Sequence, residues 1–212
     1  MKLTVFGATG GIGQEIVRQA LGAGHEVTAV VRDPARFAVT GERLEVFRAD
    51  LTDAGALRPA VAGRDAVLSG LGARSRADAA AGVATRLTRP VLAAMDAEGV
   101  RRLVVVSAAP VGPAPEDEGL LDKAVLAVIS RVLKDVYTDL RAMESELAAG
   151  AADWTSVRPP KLTDKPLTGR YRTVVGGNPP RGRTLARADV AHAMLASLDD
   201  PATVGRGVGV AY

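Results

Sequence analysis

Gly7-Ala8-Thr9-Gly10-Gly11-Ile12-Gly13 is the stretch that decides how this chain reads. It follows Lys2–Phe6, an apolar run typical of a buried strand. It opens a segment, Gly11–Gly24, in which Ile12, Ile16, Val17, Ala20 and Leu21 recur at helical spacing. A strand that ends in glycines and turns straight into a helix leaves free N–H groups and the positive end of the helix dipole at the turn, where negative charge is favoured. Gly7 lets the chain leave the strand sharply, Gly10 admits a pyrophosphate to the backbone, and Gly13 lets the helix pack close to the sheet. Glycines alone would serve any tight turn. Strand before and helix after are the context that predicts a dinucleotide over Gly7, Thr9, Gly10, Gly11, Ile12 and Gly13.

Outward from the turn, short β-branched runs alternate with longer amphipathic ones. Strands are expected at Val27–Val31, Leu44–Phe47, Ala66–Ser69, Leu103–Ser107 and Trp154–Arg158, with further ones at Arg170–Val175 and Gly207–Ala211. Helices are expected from the Asp53 N-cap to Ala62, over Asp78–Glu98 with a kink at Pro90, near 119–133, over 135–149, and at Arg187–Leu198. This alternation implies βαβ units and an α/β fold, a single doubly wound Rossmann-like domain over 1–212 with a mostly parallel sheet. Residues 152–212 would supply a small substrate-side extension. The Pro/Gly-rich segment 110–119 reads as a mobile loop near the carboxyl edge of the sheet.

Composition agrees. The 212 residues are 47% hydrophobic and 24% charged, so the chain is globular in type and long enough for a proper core. Aromatics are only 3%, so Val, Leu, Ile and Ala must build that core, as in a parallel sheet covered by Ala-rich helices. Cysteine is absent, which excludes disulfides, thiolate nucleophiles and Cys-based metal sites. No ligand motif such as H-E-x-x-H occurs, so no metal is expected. The net charge of +3 is spread along the chain, without the basic stripe of a nucleic-acid binder. No apolar run has membrane-spanning length and none resembles a signal-peptide core, so the expected setting is cytoplasmic, without a membrane partner. The expected state is a monomer or homodimer.

The end of the second strand decides which dinucleotide is held. An acid there binds a ribose 2′-hydroxyl, whereas an arginine pairs with a 2′-phosphate. Val31-Arg32-Asp33-Pro34-Ala35-Arg36 offers both. Arg32 comes first, Arg36 adds a second cation, and Asp33-Pro34 reads as a turn or helix start. NADP(H) is therefore preferred, with NAD(H) as the alternative.

The glycine turn, Val31-Arg32-Asp33, Ala49-Asp50-Leu51, Ser107 and Asp189-Val190-Ala191 together resemble the atypical short-chain dehydrogenase/reductases. Val157-Arg158-Pro159-Pro160-Lys161, continuing to Pro166-Leu167-Thr168-Gly169-Arg170-Tyr171, is similar to the flavin reductase/biliverdin-IXβ reductase type, close to the NmrA-like branch. The resemblance implies that Asp50 bonds the adenine amino group with Leu51 beside the ring. It implies that Gly70-Leu71-Gly72 runs along the cofactor, that Ser107 lies near the nicotinamide, and that Pro159-Pro160 brings backbone to its carboxamide. Lys161 stands where that type carries a histidine facing the substrate, a departure that puts the same substrate in doubt.

Hydride transfer to a flavin or quinone needs little beyond stacking on the nicotinamide, whereas a ketone needs a positioned proton donor. The superfamily's usual donor is Tyr-x-x-x-Lys. Here the spacing gives Tyr137…Arg141, and arginine substitutes poorly for lysine. Tyr137 is better read as a helix-surface or loop-contact residue. Ser107 and Lys161 are the candidate catalytic residues, beside the plainer readings of a strand-end cap and a surface lysine. Arg74 and Arg76 could steer an anionic substrate, although a solvated loop explains them as well. The expected function is an NADPH-dependent oxidoreductase passing hydride to a small, flat, conjugated acceptor (flavin, quinone or tetrapyrrole-like). The alternatives are an NmrA-like NADP(H)-binding redox sensor without turnover and, further off, a nucleotide-sugar epimerase.

Overall fold

In the computed structural model, described for residues 1–73, 75–113 and 131–212 with Arg76 as backbone only, the alternating runs form ten strands and six helices among the described residues. The strands are β1 (Lys2–Phe6), β2 (Glu26–Val31), β3 (Leu44–Arg48), β4 (Ala66–Ser69), β5 (Arg102–Val106), β6 (Asp153–Arg158), β7 (Lys161–Thr163), β8 (Arg172–Val175), β9 (Thr184–Ala186) and β10 (Arg206–Ala211). Eight of them make one sheet in the order β3-β2-β1-β4-β5-β6-β10-β8, while β7 and β9 pair separately. Every pairing in the large sheet is parallel except β8 with β10. The chain runs outward from β1 to β2 and β3, then returns to place β4 on the other side of β1. At such a reversal the connections leave the carboxyl ends in opposite directions and open a crevice for a ligand.

Side chains alternate across the pleat, so each strand feeds two cores. Leu3 and Val5 point to the face covered by α1 (Gly11–Gly22) and α6 (Arg187–Ala196), where they meet Ile16, Val17, Val190 and Met194. Phe6 points to the opposite face, beneath α2 (Ala54–Val61), α4 (Val83–Ala97) and α5 (Lys134–Ala149), with Leu57, Val91, Met95 and Leu147. Thr4, buried on that face, donates its hydroxyl to the Ala60 carbonyl at 2.5 Å, so its polar group is satisfied inside the core.

The structure corrects several boundaries. The expected helix Asp78–Glu98 is two helices, α3 (Arg76–Ala80) and α4, and the break falls at Gly82 rather than at Pro90. Gly82 adopts φ 61°, a left-handed conformation suited to glycine, while Pro90 sits inside α4 without ending it. Gly82 has no side chain to cap α4, so the cap comes from elsewhere: buried Asp139 of α5 accepts the Ala84 and Thr85 N–H groups at 2.8 and 3.0 Å. Asp139→Ala would strand two buried donors and is expected to cost about 2–3 kcal/mol in urea unfolding. A loss within about 0.5 kcal/mol would show that water caps the helix as well.

The fifth strand ends at Val106, leaving Ser107 just beyond it. The small β7–β9 sheet was not expected, because three-residue strands inside a Pro/Gly-rich stretch carry no readable period. Ala109–Val111 forms a 3-10 turn where a mobile loop was expected, and 114–119 of that loop lie outside the described residues. So does most of the expected helix 119–133. No helix among the described residues is long and apolar enough to cross a membrane.

Candidate functional site

The glycine turn is built by close packing of backbone on backbone. Gly7 leaves β1 at φ +71°, and its carbonyl accepts the Gly10 N–H at 2.9 Å. A Cβ on Gly7 would stand 2.7 Å from the Gly70 carbonyl carbon, and one on Gly13 would stand 2.1 Å from the Gly7 oxygen. The turn is thus clamped between the end of β4 and the first turn of α1. Gly10 is the N-cap of α1 and supplies no side-chain cap, and no acid lies in the first turn, so nothing in the helix itself competes for its free N–H groups. Gln14 steadies the loop by donating to the Thr9 carbonyl at 3.2 Å.

A cleft of about 250 Å³ opens here, at the carboxyl ends of β1, β2 and β4. Gly7, Thr9 and Gly10 of the glycine turn line it. Arg32, Asp50, Leu51, Gly70, Leu71 and Gly72 also line it. These nine residues, all expected from the sequence, come from four separate segments. Gly11, Ile12 and Gly13 lie behind the turn, with Ile12 and Gly13 buried in packing. Arg36 does not line the cleft. It is exposed in the 3-10 turn Pro34–Arg36, which Asp33 caps by accepting the Ala35 N–H at 3.1 Å, so Asp33 acts as the expected turn residue.

Asp50 is fixed by its neighbours. Its Oδ1 accepts the Thr52 N–H at 2.9 Å and the Thr52 hydroxyl at 2.8 Å. These bonds, with Arg32 nearby, hold its carboxyl below the ordinary carboxylate pKa. Arg48, at the end of β3, shares a second hollow with Arg32, Ala49 and Asp50. Sequence reading missed it, because an arginine on a half-exposed edge strand looks like solvated surface. Thr52 and Arg86, also lining the cleft, were missed for similar reasons.

The remaining candidates lie along the sheet edge. Ser107 is buried beyond β5, its N–H bonded to the Val157 carbonyl at 2.8 Å and its hydroxyl without a hydrogen-bond partner. The Pro159 carbonyl accepts the Ala109 N–H at 2.9 Å, tying the loops after β5 and β6 together, and Pro160 follows half-buried. Lys161 is exposed at the start of β7, opposite Thr184. Tyr137 is neither on the surface nor a loop contact. It is 7% exposed, on the core-facing side of α5, and burial raises its pKa while Arg141 opposes the rise. Arg141 turns away and donates to the Pro110 carbonyl at 2.8 Å.

The late segments pack against the turn from α6. Asp189, fully buried, accepts the N–H groups of Thr168 and Gly169 at 3.0 and 2.8 Å and the Tyr212 hydroxyl at 2.5 Å. Burial alone would raise its pKa, but these bonds bring it below the ordinary value. Asp189 thereby pins the Pro166–Gly169 stretch to α6. From the start of α6, Arg187 lies against the turn, where a Cβ on Gly11 would be 2.7 Å from its Cδ, and it pairs with exposed Asp164 at 2.5 Å.

Comparison with known proteins agrees with this geometry. A family model described as NAD(P)H-binding matches residues 7–201. A dihydroflavonol 4-reductase from Hordeum vulgare is 39% identical over 70 residues, 29% of this chain, and the match spans only 20% of that protein. Among solved structures, a Burkholderia pseudomallei protein assigned as exported is 26% identical, with each chain covered over 100% and a TM-score of 0.80. A Streptococcus pneumoniae protein assigned as an NADH-flavin reductase is 22% identical over 100% of this chain and 99% of its own, also at a TM-score of 0.80. A wide-type short-chain dehydrogenase/reductase from Veillonella parvula, solved with NADP, is 21% identical at a TM-score of 0.77, covering 100% of this chain and 94% of its own. With the glycine cradle, the crevice at the strand reversal and the family match in agreement, the chain belongs to the NAD(P)H-binding family.

Proposed function

We propose that the protein is an NADPH-dependent oxidoreductase that reduces a small, flat, conjugated acceptor such as a flavin or quinone. The observation that carries the cofactor half is the cleft itself: a side-chain-free cradle at the N-terminus of α1, continued by Arg32 and Arg48 beside Asp50. The residues fit a phosphorylated dinucleotide. Gly10 and the first N–H groups of α1 would hold the diphosphate, Oδ2 of Asp50 would take the adenine amino group, and the two arginines would meet the 2′-phosphate. When bound, the cofactor supplies the hydride, and the chain's part is to orient it and keep water away.

The acceptor half rests on the position of the tyrosine and arginine that stand at the superfamily's donor spacing. Tyr137 is held in the core, and Arg141 is engaged with a backbone carbonyl. Neither supports protonation of a nascent alkoxide, which a ketone reductase or an epimerase requires. A flavin or quinone takes up hydride into a delocalised system and leaves its protonation to solvent. The same lack supports the second reading, a sensor that binds NADP(H) without turnover.

Arg32→Ala is expected to weaken NADPH by about 1.5–3 kcal/mol, roughly 10- to 150-fold, with NADH little changed. Arg48→Ala should act in the same direction and by less, because Arg48 shares only the second hollow and does not line the cleft itself. Equal losses for both cofactors in calorimetry would remove the 2′-phosphate assignment. Following NADPH oxidation against flavins, quinones, biliverdin and simple ketones decides the acceptor. Turnover with flavins or quinones and none with ketones is the expected pattern. Tight binding with no acceptor reduced would establish the sensor reading instead.

A further inference from the structure

Arg187 fills the room that Gly11 leaves. A Cβ added to Gly11 would be 2.7 Å from Arg187 Cδ and 3.2 Å from its Nε. Gly11 is helical and has no left-handed φ that would call for glycine, so its missing side chain serves to admit the arginine. The guanidinium is thereby brought beside the first residue of α1. A cation is misplaced there, because the helix dipole is positive at that end and α1 has no acid in its first turn to offset it. The counter-ion comes from another segment: Arg187 Nη1 donates to Asp164 Oδ1 at 2.5 Å. The arginine side chain is 33% exposed and the aspartate 88%, so water screens the pair and it holds weakly.

Asp164 follows β7 and opens the stretch that leads to Pro166–Gly169. Residues of α6 hold that stretch at two points, and the two holds are unlike. Asp189 is buried and accepts the Thr168 and Gly169 N–H groups together with the Thr168 hydroxyl. Asp164 is at the surface, and its ion pair with Arg187 is the hold on that end. A diphosphate suits Arg187 better than this carboxylate does. It brings more than one negative charge, and its oxygens match the guanidinium fork. Seated on the free N–H groups of α1, it also offsets the helix dipole.

We propose that Asp164 is a stand-in for the dinucleotide's diphosphate on Arg187. When the diphosphate settles on α1, Arg187 exchanges the carboxylate for it, and the stretch is released at Asp164 while Asp189 keeps it anchored at Thr168 and Gly169. This rests on the NADPH reading above. The released stretch belongs to the segment proposed for the substrate side, so coenzyme binding frees that side to fit the acceptor and sets an order, coenzyme first. Arg187 and Asp164 regulate the site and touch no reacting atom.

The test compares NADPH with adenosine 2′-monophosphate, which lacks the diphosphate, by calorimetry on the full chain. Arg187→Met is expected to weaken NADPH about 5- to 20-fold and leave the monophosphate unchanged. Asp164→Asn, an exposed change that should fold, is expected to strengthen NADPH about 2- to 5-fold, because the competing carboxylate is gone. In the double variant that gain should vanish, since it acts only through Arg187. If Arg187→Met fails to fold, Arg187→Gln replaces it with the same expectation. The chain has no cysteine, so a nitroxide on Lys165→Cys reports on this stretch alone. Saturating NADPH should make the label more mobile, and Asp164→Asn should show that mobility without ligand. No gain in Asp164→Asn, a gain that persists without Arg187, equal changes for both ligands, or a label that NADPH leaves unchanged or slows would each overturn the exchange. Absence of NADPH binding by the unaltered protein would instead remove the cofactor reading from which this inference starts.

Discussion

Gly13→Ala is expected to abolish measurable coenzyme binding, a loss of about a hundredfold or more, and to lower stability at the same time. The added Cβ would lie 2.1 Å from the Gly7 oxygen, 2.7 Å from the Gly7 carbonyl carbon and 2.8 Å from Ala8 Cα. All three are main-chain atoms, so no side chain can rotate away to make room. Either the helix shifts or the turn does, and both carry the N–H groups that would face the diphosphate. The overpacking itself should cost about 1–3 kcal/mol. Gly22→Ala is the matched control: nothing lies within 4 Å of its added Cβ, and it ends the same helix. It should bind normally and match or slightly exceed the parent in stability, by up to about 1 kcal/mol. Normal NADPH titration of Gly13→Ala would show that the cradle does not hold the ligand.

The second large effect is on the fold. Arg158, at the end of β6, forms a buried ion pair with Glu144 of α5, and Arg158→Met leaves that carboxylate buried without its cation, which should cost about 3–5 kcal/mol. For a chain of this length that is roughly a 6–20 °C fall in Tm. Arg158→Met combined with Glu144→Leu should recover most of it, because the penalty is the orphaned charge and not the missing arginine.

Acidity separates the two proteins further. In the parent, the Glu144 pKa is depressed in the folded state, so its contribution is complete above the unfolded value of about 4.3 and disappears as pH falls through the lower folded value. In Arg158→Met, burial acts without Arg158 to oppose it and the folded pKa rises. The deficit should then be greatest at neutral pH and shrink as the carboxylate protonates on acidification. A deficit constant from pH 7 to pH 5 would refute a charged origin.

Much of this architecture could be read from the chain, because its signals are local. Leu3 and Val5 against Phe6, and Ile12-Ile16-Val17-Ala20, state their periods openly. The cleft followed from residues with one role each: glycines that turn, an arginine at a strand end, an aspartate after the next. What escaped was set by tertiary partners. The Gly82 break lies in an alanine-rich run that favours helix throughout, and only the reach of Asp139 from α5 settles it. Arg48 gains meaning from standing beside Arg32 across two strands. Glu144 did leave a trace, since it falls on the buried stripe of α5 with Leu140, Met143 and Leu147. A charge among the buried apolar positions of a helix, as Asp139 and Glu144 both are here, is the pattern that would have exposed it.

The packing of α6 on α1 bears on how the molecule is made. Ile16 and Val17 near the beginning are covered by Val190, Ala191 and Met194 near the end, and Gln19 reaches the Ala188 carbonyl at 2.9 Å. While the ribosome is still adding residues, the nascent strands lie waiting with one oily side bare, and the coenzyme cradle lacks Arg187 behind it. Contacts of such sequence separation form late and slowly. Chains truncated before residue 187 should therefore recruit chaperones or precipitate, and coenzyme added during translation should help only after the last helix has emerged.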